Sequence, residues 1–182
     1  MPLLNTITTP YAEAFLQVAD SRKETDEVVD QAKAVLGLWN ESADFREAMG
    51  SPVIEVDAKK AALEKLFAEQ LKPSFLNLLK LLADRQRIGM LDAVLDRTLA
   101  LSREQRNIAL ASVTSASALT EEQQAELSKK VQAVAGTDKL EINLSVDPTL
   151  IGGFVVKVGS KVIDASLAGQ VRRLGLALAK VS

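Results

Sequence analysis

"VDPTLIGGFVVKVGSKVIDASLAGQVRRL", running from Val146 to Leu174, holds the choice between two kinds of protein. Gly152, Gly153 and Gly159 lie close together with Lys157 and Lys161 beside them, as in a phosphate-cradling loop. Such a loop needs G-x-x-x-x-G-K-[ST] between a strand and a helix, so that backbone N–H groups at the helix start face the phosphate. Here the fifth residue after Gly153 is Val158, Gly159 is followed by Ser160, and no G-x-G-x-x-G occurs. "FVVKV" after Gly153 is β-branched and apolar, which predicts a strand. Gly159-Ser160 then reads as a two-residue hairpin turn into "KVID", with Asp147-Pro148 and Gly152-Gly153 as turns before it. Ser166 can cap a last helix that turns Leu167, Val171, Leu174 and Leu178 inward. The stretch is a small sheet and a helix start, not a nucleotide site.

Upstream, "LEINLSV" alternates Leu140, Ile142, Leu144 and Val146 with polar residues, the pattern of a half-buried strand. The preceding "LTEEQQAELSKKVQAVAG" reads as a helix with Thr120 and Gln123 as capping box, Leu127, Val131 and Val134 on one face and Gly136 as its stop. "NIALASVTSA" from Asn107 predicts another strand. Residues 107–182 are therefore expected to form a small mixed sheet with flanking helices.

Residues 1–106 carry a helical period instead, expected as a six-helix antiparallel bundle. Thr9-Pro10 reads as N-cap and first helical position, followed by Tyr11, Phe15, Val18 and Ala19 on one face. Further helices are expected from Thr25 to Asn40 (Val29, Ala32, Leu36 and Trp39 inward), from Ala43 to Met49, from Asp57 as cap (Leu63, Leu66, Phe67), from Pro73, and from Met90 to Arg106. In the fifth, "SFLNLLKLLADRQR", leucines cover more than one face. That predicts a central helix packed on several sides, with room beside the first helix for a partner's amphipathic helix. The fold class is mainly α with a small α+β part.

Composition narrows the chemistry. The chain has no cysteine and no histidine, which removes thiolates, disulfides, the commonest metal ligand and any Ser-His-Asp triad. Net charge is −2 and aromatics are 4%, neither of which suits a nucleic-acid binder. The opening "MPLLNTITTP" has no basic and apolar leader pattern, and no stretch approaches a membrane span. Glu121-Glu122 fits a helix N-terminus better than an acid/base pair, and Arg85 to Arg87 and Arg172-Arg173 read as solvated or partner-facing edges. No catalytic, cofactor or metal residue is assigned.

The C-terminal stretch also resembles the signature of the F-type ATP synthase δ-subunit family, which includes the mitochondrial oligomycin-sensitivity-conferring protein. Asp147, Gly153, Gly159, Val162, Ile163, Asp164, Ser166, Gly169 and Leu174 match it, with Val171 where leucine is usual. "PYAEAF" and "LLKLLADRQRIGML" resemble the family's N-terminal half. The resemblance implies a non-catalytic stator subunit at the cytoplasmic face of an energy-transducing membrane, bacterial plasma or thylakoid. Its N-terminal domain (1–106) would grip the N-terminal helix of an α subunit, and its C-terminal domain (107–182) the peripheral-stalk b or b′ subunits. It implies a groove walled by Tyr11, Ala14, Phe15 and Val18 and by Leu78, Leu81, Leu82 and Arg85, and a stalk contact through Leu167, Val171, Arg172 and Leu178. Two other classes fit the residues alone: a helical adaptor with different partners, and an enzyme built on Asp, Glu, Lys and Ser, which would need a pocket of convergent polar groups.

Overall fold

The structure is a computed structural model; it describes the backbone of residues 2–135 and 139–179, and side chains within 5–133 and 139–173. Gly136 and the side chains of Val134, Leu174 and Leu178 lie outside the described residues. The chain divides into two compact units, Met1–Ser102 and Arg103–Ser182. It is mostly helical, with eight α-helices and one four-stranded mixed sheet among the described residues.

The first unit contains α1 (Pro2–Ser21), α2 (Thr25–Glu41), α3 (Ala43–Gly50), α4 (Val56–Phe67), α5 (Pro73–Asp84) and, after a 3-10 turn at Ile88–Met90, most of α6 (Leu91–Gln105). Their starts follow local chemistry in part. Ser42 caps α3 by accepting from the Phe45 N–H at 3.2 Å, and Pro73 opens α5, where its missing N–H is harmless. At α4 the expected cap is displaced: Asp57 lies inside the helix and Glu55 precedes it without a side-chain cap bond. In α2 the buried stripe is Val28, Ala32, Val35 and Trp39, with Val29 and Leu36 half-buried beside it. Leu66 of α4 faces solvent while Leu63 and Phe67 are buried.

The start of α1 departs most from expectation. Pro10 sits inside the helix instead of opening it. A proline interior to a helix costs about 3 kcal/mol, so local propensity would stop there. Tertiary contacts carry the helix through: Thr8 is buried, and Arg97 of α6 donates its Nε–H to the Thr9 hydroxyl at 3.2 Å.

One core joins these helices, built around Phe15, Trp39, Phe67, Phe75, Leu79 and Leu82. The Phe15 and Phe75 rings meet at 5.1 Å between centroids, and Phe45 packs edge-on against Trp39 and Phe67. A fully buried leucine or phenylalanine contributes about 1.5–3 kcal/mol, so α5, with Phe75, Leu78, Leu79 and Leu82 buried, anchors the unit.

The second unit has β1 (Ala109–Ser115), α7 (Glu121–Ala135), β2 (Leu140–Val146), β3 (Phe154–Val158), β4 (Lys161–Asp164) and α8 (Leu167–Ala179). The strand order is β2-β1-β3-β4. β1 and β2 run parallel, joined through α7, while β3 is antiparallel to both β1 and β4. The capping box closes reciprocally: the Gln123 N–H donates to the Thr120 hydroxyl and the Thr120 N–H to Oε1 of Gln123, at 3.3 and 3.0 Å. Leu127 and Val131 then cover Ala111, Val113 and Val156.

Two apolar patterns end up less buried than their periods predict. Leu144 and Val146 are 41% and 55% exposed, because β2 is an edge strand and the core under α7 reaches only its Leu140–Ile142 half. Leu167 and Val171 of α8 are exposed rather than inward.

Candidate protein-docking site

The end-to-end contacts of α1 and α5 define a cleft. Ser74, at the start of α5, donates its hydroxyl to Glu24 just beyond α1, at 3.2 Å. Arg87, just beyond the end of α5, donates Nη1–H to the Tyr11 hydroxyl at 2.9 Å, with its guanidinium carbon 5.7 Å from the ring centroid. The two helices therefore run antiparallel, and a cleft of about 530 Å³ opens along them.

From α1 the wall is Pro10, Tyr11, Ala14, Phe15, Val18 and Arg22; from α5 it is Ser74, Asn77, Leu78 and Leu81. Phe15 and Leu78 are floor residues, buried against the core, while Val18 and Leu81 are each 42% exposed. Ala14 keeps the cleft open because its methyl fills so little of it. Apolar rows on two neighbouring helices, left without a third row between them, are the geometry that receives an amphipathic helix.

Six of the eight residues expected as groove walls are brought together here: Tyr11, Ala14, Phe15, Val18, Leu78 and Leu81. Leu82 is not among them. It is fully buried, one residue and about 100° round the helix from Leu81, and belongs to the core. Arg85 lies exposed just past α5, beyond the lining residues. Pro10, Arg22, Ser74 and Asn77 line the cleft without having been picked out from the sequence. The signal was available: Arg22 follows Val18 by four, and Ser74 and Asn77 precede Leu78 and Leu81 by four.

The signature residues of the second unit form turn locks. Both the N–H and the hydroxyl of Ser166 donate to Oδ1 of Asp164, at 3.0 and 2.6 Å, and the Gly169 N–H donates to the Ser166 hydroxyl at 3.0 Å, capping α8. Arg172 donates to Oδ2 of Asp164 at 3.3 Å and Arg173 to its backbone carbonyl at 3.1 Å. The Ser166 hydroxyl, more than any other partner, holds the Asp164 carboxyl below its usual range, with the two arginines adding to the effect. Asp147 works the same way on Thr149, whose hydroxyl and N–H donate to Oδ1 at 2.7 and 3.0 Å and lower its pKa. Gly169 is required because a Cβ there would collide with the Asp164 carboxylate. Gly153, at φ +78°, faces the Ala165 carbonyl too closely for any side chain. Gly159 supplies the β3–β4 turn. Each of these residues shapes the path from β2 to α8.

Among the described residues, no three His, Cys, Asp or Glu side chains gather as a metal site, and no helix is long and apolar enough to cross a membrane. The cleft lies on a helical unit, mostly apolar in its lining, with Arg22, Ser74, Asn77 and the Tyr11 hydroxyl as its polar groups; that is the geometry of a protein-docking surface and not of a catalytic pocket.

The family model described as "ATP synthase delta (OSCP) subunit" matches residues 7–178. "ATP synthase subunit delta" of Prochlorococcus marinus (strain MIT 9303) is 80% identical over 182 residues, covering 100% of both chains. "ATP synthase subunit delta" of Synechococcus sp. (strain CC9605) is 65% identical over the same full length. A chain in the structure of the Toxoplasma gondii mitochondrial ATP synthase hexamer shares the fold, with a TM-score of 0.72 at 20% identity, covering 93% of this chain and 96% of that one. The chain belongs to the ATP synthase delta (OSCP) family. It is accordingly a structural, non-catalytic stator component of an F-type ATP synthase.

Proposed function

We propose that the α1–α5 cleft takes the N-terminal helix of an ATP synthase α subunit, and that the second unit holds the b-type subunits of the peripheral stalk. On this reading the first unit acts as a six-helix bundle gripping the catalytic head, and the chain sits peripherally on an energy-transducing membrane through its partners. By tying head to stalk it resists the torque of rotation. The observation that carries the reading is the apolar cleft, open between Val18 and Leu81 and kept clear by Ala14. Affinity in such a contact rests on a few buried anchors, here Tyr11, Phe15, Leu78 and Leu81. The stalk contact is assigned to α8, where Leu167, Val171 and Arg172 are exposed; Leu178, on the same helix, completes the set.

Calorimetric titration with a synthetic peptide of the cognate α-subunit N-terminus tests this, run beside Ala14→Asp with circular dichroism to show that the variant stays folded. One-to-one binding that the folded variant loses supports the cleft. Binding that survives Ala14→Asp places the α helix elsewhere and ends the proposal.

A further inference from the structure

Arginines mark both ends of the cleft. None of the lining residues is a carboxylate. Arg22 closes one end; it is exposed and makes no ion pair among the described residues. Arg85 and Arg87 stand at the other end, Arg85 one turn beyond Leu81 and Arg87 on Tyr11, and neither is ion-paired among the described residues. Acidic side chains nearby are turned away or engaged. At 100° per residue, Glu13 and Asp20 of α1 fall on the side opposite the Tyr11–Val18 row. Asp84 pairs with Lys60 at 2.9 Å, Glu64 with Lys80 and Glu27 with Lys72 at 2.6 Å; Glu24, at the Arg22 end, accepts the Ser74 hydroxyl and keeps its charge, which the nearby Lys72 ammonium offsets.

Tyr11, which marks the Arg87 end, and Arg22 are separated by about three helical turns, roughly 16 Å. We infer that the cleft selects an amphipathic helix with carboxylates at both ends of its apolar row, about eleven positions apart. The inference rests on the helix-in-cleft reading above and adds the chemistry of the helix that is accepted. A helix with lysines at those positions would meet arginine at both ends and be refused, a specificity the apolar floor cannot supply. Charges at a rim act chiefly on association rate and on salt dependence, so those are the quantities to read.

The test uses the full chain and the cognate α-subunit N-terminal peptide in stopped-flow association at low and high salt. It includes versions of the peptide with the terminal carboxylates changed to amides or to lysines, and the exposed-site variants Arg22→Glu and Arg85→Glu. Each lost carboxylate is expected to weaken binding about two- to fivefold and to flatten the salt dependence. Arg22→Glu should be rescued by a lysine at one end of the peptide and not at the other, which would also fix the helix's direction in the cleft. Equal affinity and salt slope for the acidic and amide peptides, with Ala14→Asp still abolishing binding, would leave the cleft reading standing and overturn the charge inference. Undiminished binding of the lysine peptide overturns it too, as does a cognate helix that binds but has no such carboxylate pair. No binding of the native peptide removes both readings.

Discussion

Leu81 and Leu82 are neighbours in sequence and chemically identical, yet the structure gives them opposite work. Leu82 is fully buried in the core and Leu81 is 42% exposed on the cleft. Truncating Leu82 to alanine leaves a cavity beneath α5 and is expected to cost the first unit about 2–5 kcal/mol. For a domain of this size that lowers the melting temperature by roughly 10–20 °C. Leu81→Ala should act on binding. Full burial of a leucine side chain is worth about 1.5–3 kcal/mol, so removing its exposed 42% under a docked helix yields at most about 0.6–1.3 kcal/mol. That is roughly a three- to ninefold weaker Kd for the α-subunit peptide. The assay pairs thermal unfolding with calorimetric titration well below the melting transition. Leu82→Ala should melt early and bind normally while folded; Leu81→Ala should keep most of its stability and bind weakly. Equal loss of stability in both variants, or unchanged peptide affinity in Leu81→Ala, would refute the division of faces on which the docking argument depends.

Two further outcomes concern the second unit. Ile151 holds a φ of +64°, which a β-branched residue adopts only under strain, and it is 79% exposed. Ile151→Gly should relieve that strain at little loss of packing and stabilise the unit by about 1 kcal/mol net of glycine's extra entropy, seen as a higher melting temperature. Destabilisation would show that Ile151 has a packing role its exposure hides. The lowered pKa of Asp164 makes the β4–α8 turn acid-sensitive. Because its folded pKa lies below the ordinary 3.8, its stabilising contribution is complete above that value and fades as pH falls through the lower folded one. The amide resonances of Ser166 and Gly169 should move together through that acid transition in NMR, and Asp164→Asn should abolish it; a transition surviving in the variant would assign it to another group.

How much of this was visible before folding depends on whether the cause is local. The Gly159 hairpin turn, the Thr120–Gln123 capping box, the Ser166 cap and Pro73 at a helix start are settled within a few residues, and each stands where its pattern placed it. The absence of histidine and cysteine likewise excluded whole classes of chemistry from composition. Pro10 misled because proline is a local stop signal, and the packing of Thr8 and Thr9 that overrides it comes from elsewhere in the chain. Leu144 and Val146 alternate like buried residues, but alternation cannot tell an edge strand from a central one; strand order does. Leu81 and Leu82 could not be separated for a related reason. On a helix apolar all round, period carries no direction, and only the positions of α1 and α4 against α5 say which leucine is core and which is cleft. A turn is a property of neighbouring residues, whereas a cleft is made by residues far apart in the chain, and its shape exists only once they have packed.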